Sequence, residues 1–203
     1  PDVLVLIGRV ARDRFGDDRK ARKVLLRALE LRPDDVALAR EAAALLTARR
    51  RHGELVALYE RVGPALFAEP GEAAHGPAAV ARHALTVASL KAEQLYDPEG
   101  AMATLEGLVA AQPDHLEGWR RLHALAEKAS EPATLERAAR RLAEQVPDEA
   151  VATLAGAART VARQGDEERA VSLWRAVLAR DTDHGEALQA VKRFAERRAD
   201  WDL

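Results

Sequence analysis

The sequence predicts an all-α fold, an α-solenoid made of stacked helix pairs. Strong helix formers dominate it, whereas aromatic residues make up only 4% and isoleucine occurs once, a balance that favours helices over sheets. One packing pattern recurs about every 34 residues, and three of its copies end at a Pro-Asp pair. Repeats of this length are typical of helical solenoids, in which each repeat buries its apolar faces against its neighbours.

The second helix of each pair, the B helix, carries a small residue, a large apolar residue four positions later and an apolar residue three positions after that. In the stretch QGDEERAVSLWRAVLARDTD these are Ala170, Trp174 and Val177. Ala170 is expected to be small because the preceding helix packs closely there, and Gly165 permits the turn before the B helix. The same pattern fits four other places: Ala21, Leu25, Ala28 and Pro33; Leu55, Tyr59 and Val62; Ala101, Leu105, Leu108 and Pro113; and Leu135, Ala139, Leu142 and Pro147.

The first helix of each pair, the A helix, carries a stripe of residues at i, i+3, i+4 and i+7. This spacing places four side chains on one face of an α-helix. The stripes begin at Leu4, Ala39, Leu85, Trp119, Leu154 and Leu188. The two patterns together predict helix pairs near 2–14 and 18–31, 35–49 and 53–67, 78–94 and 98–111, 115–128 and 132–145, and 149–163 and 167–180, with a single helix near 184–198.

Pro-Asp pairs mark the change from one repeat to the next at 33–34, 113–114 and 147–148. Proline disfavours helical geometry in the residue before it, so it ends the B helix. Aspartate accepts hydrogen bonds from the free amides at a helix start. We therefore expect Asp34, Asp114 and Asp148 to be the N-caps of the A helices that follow.

This pattern resembles the tetratricopeptide repeat, which reads W-x2-L-G-x2-Y, then A-x3-F, then Pro over 34 residues. The residues that carry the resemblance are Gly8, Ala21 and Pro33 in repeat one, Trp119, Leu122 and Pro147 in repeat four, and Ala170 with Trp174 in place of Phe in repeat five. The family Tyr is replaced throughout by Ala, Leu or Val. A related α-solenoid with similar helix pairs is the alternative.

The resemblance covers nearly the whole chain and implies a right-handed superhelix of antiparallel helix pairs. It implies one solenoid domain over residues 1–203, with five repeats and the first helix of a sixth. The repeats are expected at about 2–34, 35–69, 78–115, 116–149 and 150–183, with a partial repeat at 184–203 and a Pro/Gly-rich insertion at about 63–81.

The insertion contains GPALFAEPGEAAHGP, and its prolines and glycines predict a loop. We expect a tolerated surface insertion; the alternative is a hinge or binding flap between two blocks of repeats. Phe67 distinguishes these interpretations, because an apolar side chain in such a loop either docks onto the solenoid or is offered to a partner.

Both ends of the chain are expected to be cut. Pro1-Asp2 repeats the boundary pair, as though an earlier repeat ended just upstream, and Trp201 and Leu203 fit a sixth B helix that stops as it begins. The run VLVLI at 3–7 is too short to span a bilayer and follows no basic segment. We expect this run to be the buried face of the first helix.

No residue pattern in the chain predicts catalysis, a cofactor or a metal site. Cysteine is absent, which excludes disulfides and thiolate ligands. His115 and His123 are eight residues apart, without the i, i+4 spacing and converging third ligand that zinc requires. Phosphate-binding glycine loops and nucleophile elbows are also missing. We therefore expect no enzyme and no cofactor, and no small-molecule ligand is anticipated.

Charge and architecture together predict a non-catalytic protein-protein interaction scaffold. The formal net charge of −2 argues against a polyanion binder. The alternative is a nucleic-acid-binding helical repeat, suggested by arginine runs such as Arg49 to His52, although these are interleaved with acidic residues. Arginine outnumbers lysine 26 to 5, which we attribute to a GC-rich bacterial genome. The sequence leaves the compartment open, with the cytoplasm slightly favoured.

The family resemblance implies a concave groove lined by A helices, one residue after each packing stripe. The partner-binding residues predicted in this way are Arg40, Arg120, Arg159, Arg163 and Arg193. Three of them, Arg159, Arg163 and Arg193, are expected at one end of the groove, where Glu186 and other carboxylates temper their charge. The expected partner is a protein or peptide segment of acidic character. Family members that clamp a terminal carboxylate use asparagine, which this chain lacks.

Overall fold

The computed structural model describes residues 2–199, which form eleven α-helices and no β-strand. The helices are α1 (Asp2–Phe15), α2 (Asp18–Leu31), α3 (Val36–Ala48), α4 (His52–Val62), α5 (Pro77–Gln94), α6 (Pro98–Ala111), α7 (Leu116–Ala129), α8 (Pro132–Gln145), α9 (Ala150–Arg163), α10 (Glu167–Leu178) and α11 (Gly185–Ala199). The all-α prediction is confirmed. Every bound except the end of α4 lies within about two residues of its predicted place. Trp201 and Leu203 lie outside the described residues.

The helices fall into two compact units that divide between Thr104 and Leu105, within α6. In the first unit each helix from α1 to α4 contacts the next helix along the chain, and in the second unit each helix from α7 to α10 does the same. Such nearest-neighbour packing is the arrangement of a helical solenoid. No helix formed by residues 2–199 combines the length and apolar character that crossing a bilayer requires.

The B-helix pattern describes how each pair packs. Ala170, Trp174 and Val177 are all buried in α10, and the equivalent residues of α2, α6 and α8 are buried as well. Gly8 shows why small residues are needed at the crossing of A and B helices, because a Cβ atom there would lie 2.9 Å from the Leu25 side chain. In these four B helices the buried positions therefore follow the predicted spacing.

The predicted N-caps at the B-to-A turns are wrong by one residue. Asp35 caps α3 by accepting from the amide of Leu38 at 2.9 Å. His115 caps α7 through its Nδ1 atom, which accepts from the amide of Gly118 at 3.0 Å. Proline is the reason, because it occupies the second position of a tight turn and the aspartate after it occupies the third. Asp34, Asp114 and Asp148 are these third residues, and the turns close at Asp35, His115 and Glu149.

All five A-to-B turns place one residue in the left-handed region of backbone space. These residues have φ between 51° and 87° and are Gly16, Arg50, Tyr96, Ser130 and Gly165. Their positions are separated by 34, 46, 34 and 35 residues, the separations of the repeat itself. Only glycine adopts this geometry without steric cost. Three of the turns therefore carry backbone strain that the glycine turns lack.

We expect Tyr96→Gly to raise the free energy of unfolding by about 0.5–1 kcal/mol, because it relieves this strain. The Tyr96 side chain is 86% exposed, so little packing is lost. The matched change, Gly165→Ala, is expected to lower the free energy of unfolding by about 1–2 kcal/mol, because alanine is strained in this backbone conformation. Steric clashes do not contribute, since the added Cβ atom would meet no atom within 4 Å. Urea denaturation measures both effects, and a destabilising Tyr96→Gly would contradict the assigned turn geometry.

The expected burial of the VLVLI run is wrong for much of its length. Val3 and Leu6 are more than 60% exposed, and the buried residues of α1 are Gly8 and Ala11, which lie outside the run. The positions equivalent to Val3 and Val10 in the next repeat are Leu38 and Leu45, which are buried. Helix α3 has the preceding B helix packed against it, whereas residues 2–199 contain no helix before α1.

Helix α4 ends five residues before its predicted end. Gly63 adopts φ 72°, and Pro64 follows it, so the chain leaves the α-helix and forms a 3-10 helix at Gly63–Phe67. The rest of the insertion forms turns up to Pro77, where α5 begins. Phe67 is docked, with its ring packed against the rings of Tyr59 and His83. The insertion therefore packs against the first unit.

Candidate partner-binding pocket

A pocket of about 600 Å³ lies in the second unit, where α9 and α11 face each other. Three of the five arginines predicted from the sequence line it: Arg159 and Arg163 on α9, and Arg193 on α11. The remaining lining residues are Glu127, Gly156, Thr160, Ala162, Trp174, Glu186, Gln189 and Ala190. We call this the α9–α11 pocket.

Arg159 holds a carboxylate of its own unit. Its Nε atom donates to both carboxylate oxygens of Glu186 at 2.9 Å, and its Nη2 atom donates to Oε2 at 2.7 Å. The same guanidinium group lies 6.0 Å from the ring centroid of Trp174, within the range of a cation–π contact. Hydrogen bonding from Arg159 lowers the pKa of Glu186 and raises that of Arg159. Glu186 therefore remains ionised at neutral pH and occupies the fork of Arg159.

Arg163 is oriented by a chain of hydrogen bonds. Its Nη2 atom donates to the hydroxyl oxygen of Thr160 at 3.1 Å, and that hydroxyl donates to Glu127 Oε1 at 3.1 Å. Thr160 is buried, whereas Arg163 is exposed, so the chain connects the interior of the repeat to the pocket surface.

Arg193 carries charge that the rest of the pocket does not neutralise. Within residues 2–199 its guanidinium group makes no hydrogen bond or ion pair, and its side chain is exposed. Gly156 leaves the wall of the pocket open, because a Cβ atom there would meet no atom within 4 Å. Three arginines against Glu127 and Glu186 give the pocket a net charge of about +1 at neutral pH.

The other two predicted arginines lie elsewhere. Arg120 does not line the pocket and pairs with Glu149 at 3.5 Å in the same unit. Arg40 belongs to the first unit, where its Nη2 atom donates to the main-chain carbonyl of Ala68 at 3.1 Å. The structure thus brings three of the five residues together and gives Arg40 a partner within the insertion.

Two functional features of the pocket were missed from the sequence. Thr160 orients Arg163, but it lies outside the predicted packing stripe of α9, so no sequence signal pointed to this role. Trp174 was assigned to packing alone, but its ring also lines the pocket under Arg159. Both features depend on contacts between helices, Thr160 with Glu127 on α7 and Trp174 with Arg159 on α9, which the period of a single helix does not predict.

The histidines do not build a metal centre in the described part of the chain, where no three His, Asp or Glu residues are placed to hold an ion. His123 is half-buried on α7. Burial lowers its pKa, so the neutral ring predominates at neutral pH.

No protein-family model and no curated protein matches this chain. Solved structures of similar fold include YrrB, a tetratricopeptide repeat (TPR) protein described as having an unusual peptide-binding site, with 15% identity and a TM-score of 0.47 over 93% of this chain and 90% of that one. MamA from Desulfovibrio magneticus RS-1 has 15% identity and a TM-score of 0.44 over 91% of this chain and 96% of that one.

A tetratricopeptide repeat protein from Parabacteroides merdae ATCC 43184 is similar as well, with 16% identity and a TM-score of 0.45 over 94% of this chain and 70% of that one. The predicted resemblance to this repeat is confirmed in the fold. Its basis is the chain's own helix pairs, which agree with the repeat in length, in spacing and in the positions that are buried.

Proposed function

We propose that this chain is a protein-protein interaction scaffold that binds an acidic peptide segment in the α9–α11 pocket. The observation that carries the proposal is the convergence of Arg159, Arg163 and Arg193 on one pocket, with Arg193 unpaired within residues 2–199. Guanidinium groups bind carboxylates through charge-assisted, bidentate hydrogen bonds. An acidic segment would therefore find several donors within one short stretch of surface.

Glu186 indicates how such a segment would be held. Its carboxylate sits in the fork of Arg159, which shows that this fork accepts a carboxylate in bidentate geometry. A ligand carboxylate competes for the same donors or uses those of Arg193. Because the Arg159–Glu186 pair is about half exposed, breaking it costs little free energy. The pair therefore serves as a moderate internal competitor to the ligand.

The pocket favours a peptide over an apolar ligand. Its charged groups are exposed, and its one aromatic side chain, Trp174, is buried beneath Arg159. Exposed charge pairs are screened by salt, with a Debye length of about 8 Å at physiological ionic strength. We therefore expect moderate affinity that falls as the salt concentration rises.

The test uses a labelled Gly-Asp-Glu-Asp-Glu-Gly peptide and its counterpart in which Asn and Gln replace the acids. Glu186→Gln removes the competing carboxylate, and we expect it to bind the acidic peptide about three- to fivefold more tightly than the unaltered chain. Fluorescence anisotropy at two salt concentrations measures the change.

The matched control is Glu196→Gln, which alters the net charge equally on the same helix and lies outside the pocket lining. Its affinity for the acidic peptide should stay close to that of the unaltered chain. Equal binding of the acidic and amide peptides would overturn the proposal, because the arginines would then contribute nothing to recognition.

A further inference from the structure

The insertion in the first unit lies over Arg40, which the repeat pattern assigns to a partner-binding surface. The 3-10 helix Gly63–Phe67 contacts α3, α4 and α5. Arg40 on α3 and His83 on α5 both contact the insertion. We call the surface formed by these three helices the α3–α5 site.

Phe67 inserts between two rings of this site. Its ring centroid lies 4.9 Å from that of Tyr59 and 5.4 Å from that of His83, with edge-to-face angles of 72° and 64°. Edge-to-face pairs of this kind add stability beyond the apolar area that they bury. His83 Nε2 also lies 3.2 Å from the carbonyl oxygen of Tyr59, which fixes the imidazole against α4. Tyr59 and His83 therefore form an aromatic contact surface for Phe67.

The main chain after this ring is held by side chains, as a bound peptide would be. Arg82 Nε donates to the carbonyl of Phe67 at 2.9 Å, and Arg40 Nη2 donates to the carbonyl of Ala68 at 3.1 Å. Ala68 has extended geometry, with φ −69° and ψ 133°. These carbonyl groups are thus recognised by arginine side chains of two helices. Because every peptide has main-chain carbonyl groups, the same arginines can bind a different peptide in this way.

Two carboxylates complete the contact with Arg82. Glu72 accepts a hydrogen bond from Arg82 Nη2 and another from the amide of Glu69 at 3.0 Å. Glu69 lies within ion-pair distance of Arg82, at 3.8 Å. The segment therefore presents an aromatic residue followed by carboxylates two and five positions later.

The geometry points to a second peptide-recognition site, the α3–α5 site, for which residues 67–72 are a built-in occupant. We infer that its external ligand is a peptide with an aromatic residue followed by carboxylates at the second and fifth positions after it. Leu66 remains anchored in the apolar core of the unit, so residues 67–72 exchange while the chain before them stays in place. This site uses other residues than the α9–α11 pocket, and its existence does not depend on that pocket's function.

The test supplies the segment in trans. The opened variant carries Phe67→Gly, Glu69→Gln and Glu72→Gln, which weaken the internal occupant and keep Leu66. The probe is a labelled, N-acetylated peptide with the sequence of residues 67–72, FAEPGE. We expect the opened variant to bind it at least about tenfold more tightly than the unaltered chain, because a tethered segment competes at an effective concentration on the order of mM.

Two controls separate recognition from general stickiness. Replacing the phenylalanine of the peptide with alanine should remove binding, as should Arg82→Ala added to the opened variant. Circular dichroism checks that the opened variant keeps its helicity. A folded opened variant that binds the peptide no better than the unaltered chain would overturn the inference.

A second measurement keeps the inference testable if the opened variant does not fold. The chain has no cysteine, so Ala73→Cys gives one labelling site on an exposed part of the insertion. With the rest of the chain unaltered, an excess of the peptide should displace residues 67–72 and change the fluorescence of a dye at this position. Unchanged dye fluorescence at a saturating peptide concentration would show that residues 67–72 are not displaced, and it would overturn the inference.

Discussion

Trp174→Ala is expected to lower the free energy of unfolding by about 3–5 kcal/mol, the range for a buried aromatic residue replaced by alanine. The Trp174 side chain is only 4% exposed, on a helix that contacts both α9 and α11. Its ring lies 6.0 Å from that of His184 and beneath the guanidinium group of Arg159. Removing it leaves a cavity at the junction of two repeats, where solenoid stability arises.

The comparison is with Arg163→Ala, which we expect to cost under about 0.5 kcal/mol. Arg163 is exposed, and after its removal the Thr160 hydroxyl still donates to Glu127. Urea denaturation of both variants, compared at the transition midpoints, measures the difference. Equal destabilisation by the two changes would mean that the register of the fifth repeat is misassigned.

Reversing the charge of the α9–α11 pocket, with Arg159, Arg163 and Arg193 all replaced by Glu, is expected to weaken binding of the acidic peptide about tenfold or more. Exposed ion pairs contribute about 0.2–1 kcal/mol each, so the loss of three reaches this range. The new carboxylates also repel those of the ligand. All three arginines are exposed, so helicity and the melting temperature should remain nearly unchanged.

The matched control reverses three exposed arginines outside the pocket lining, Arg137, Arg175 and Arg180. It changes the net charge of the second unit by the same amount, so it reports the effect of overall charge alone. We expect it to bind the acidic peptide several-fold less tightly at low salt and nearly normally at physiological salt. Retained binding by the pocket variant would place the peptide site on another surface.

The helices and their packing stripes were predictable because their causes are local. The i, i+3, i+4, i+7 spacing reflects the turn of an α-helix, and small residues recur where two helices cross. Residue preferences alone did not predict the N-cap residues at the turns between repeats. The sequence suggested Asp34 as a cap, whereas the proline before it places Asp34 inside the turn and gives the capping role to Asp35.

The candidate site was predictable only in part. The repeat register placed Arg159, Arg163 and Arg193 on equivalent faces of two A helices, and the structure brings them to one pocket. Their partners could not be predicted, because Arg159 and Glu186 are 27 residues apart and pair only after α9 and α11 pack. The buried Thr160 contacts Glu127 across 33 residues for the same reason.

The sequence by itself determined the all-α class, the helix pairs and the residues buried between them, since these follow from the helix period and from turn chemistry within one repeat. Only the tertiary structure decided which apolar and charged side chains are exposed. Leu6 is exposed although its neighbours in sequence are apolar, and Phe67 is docked although it lies in a loop. Exposure depends on the side chains of neighbouring helices, and these come together only when the helices pack.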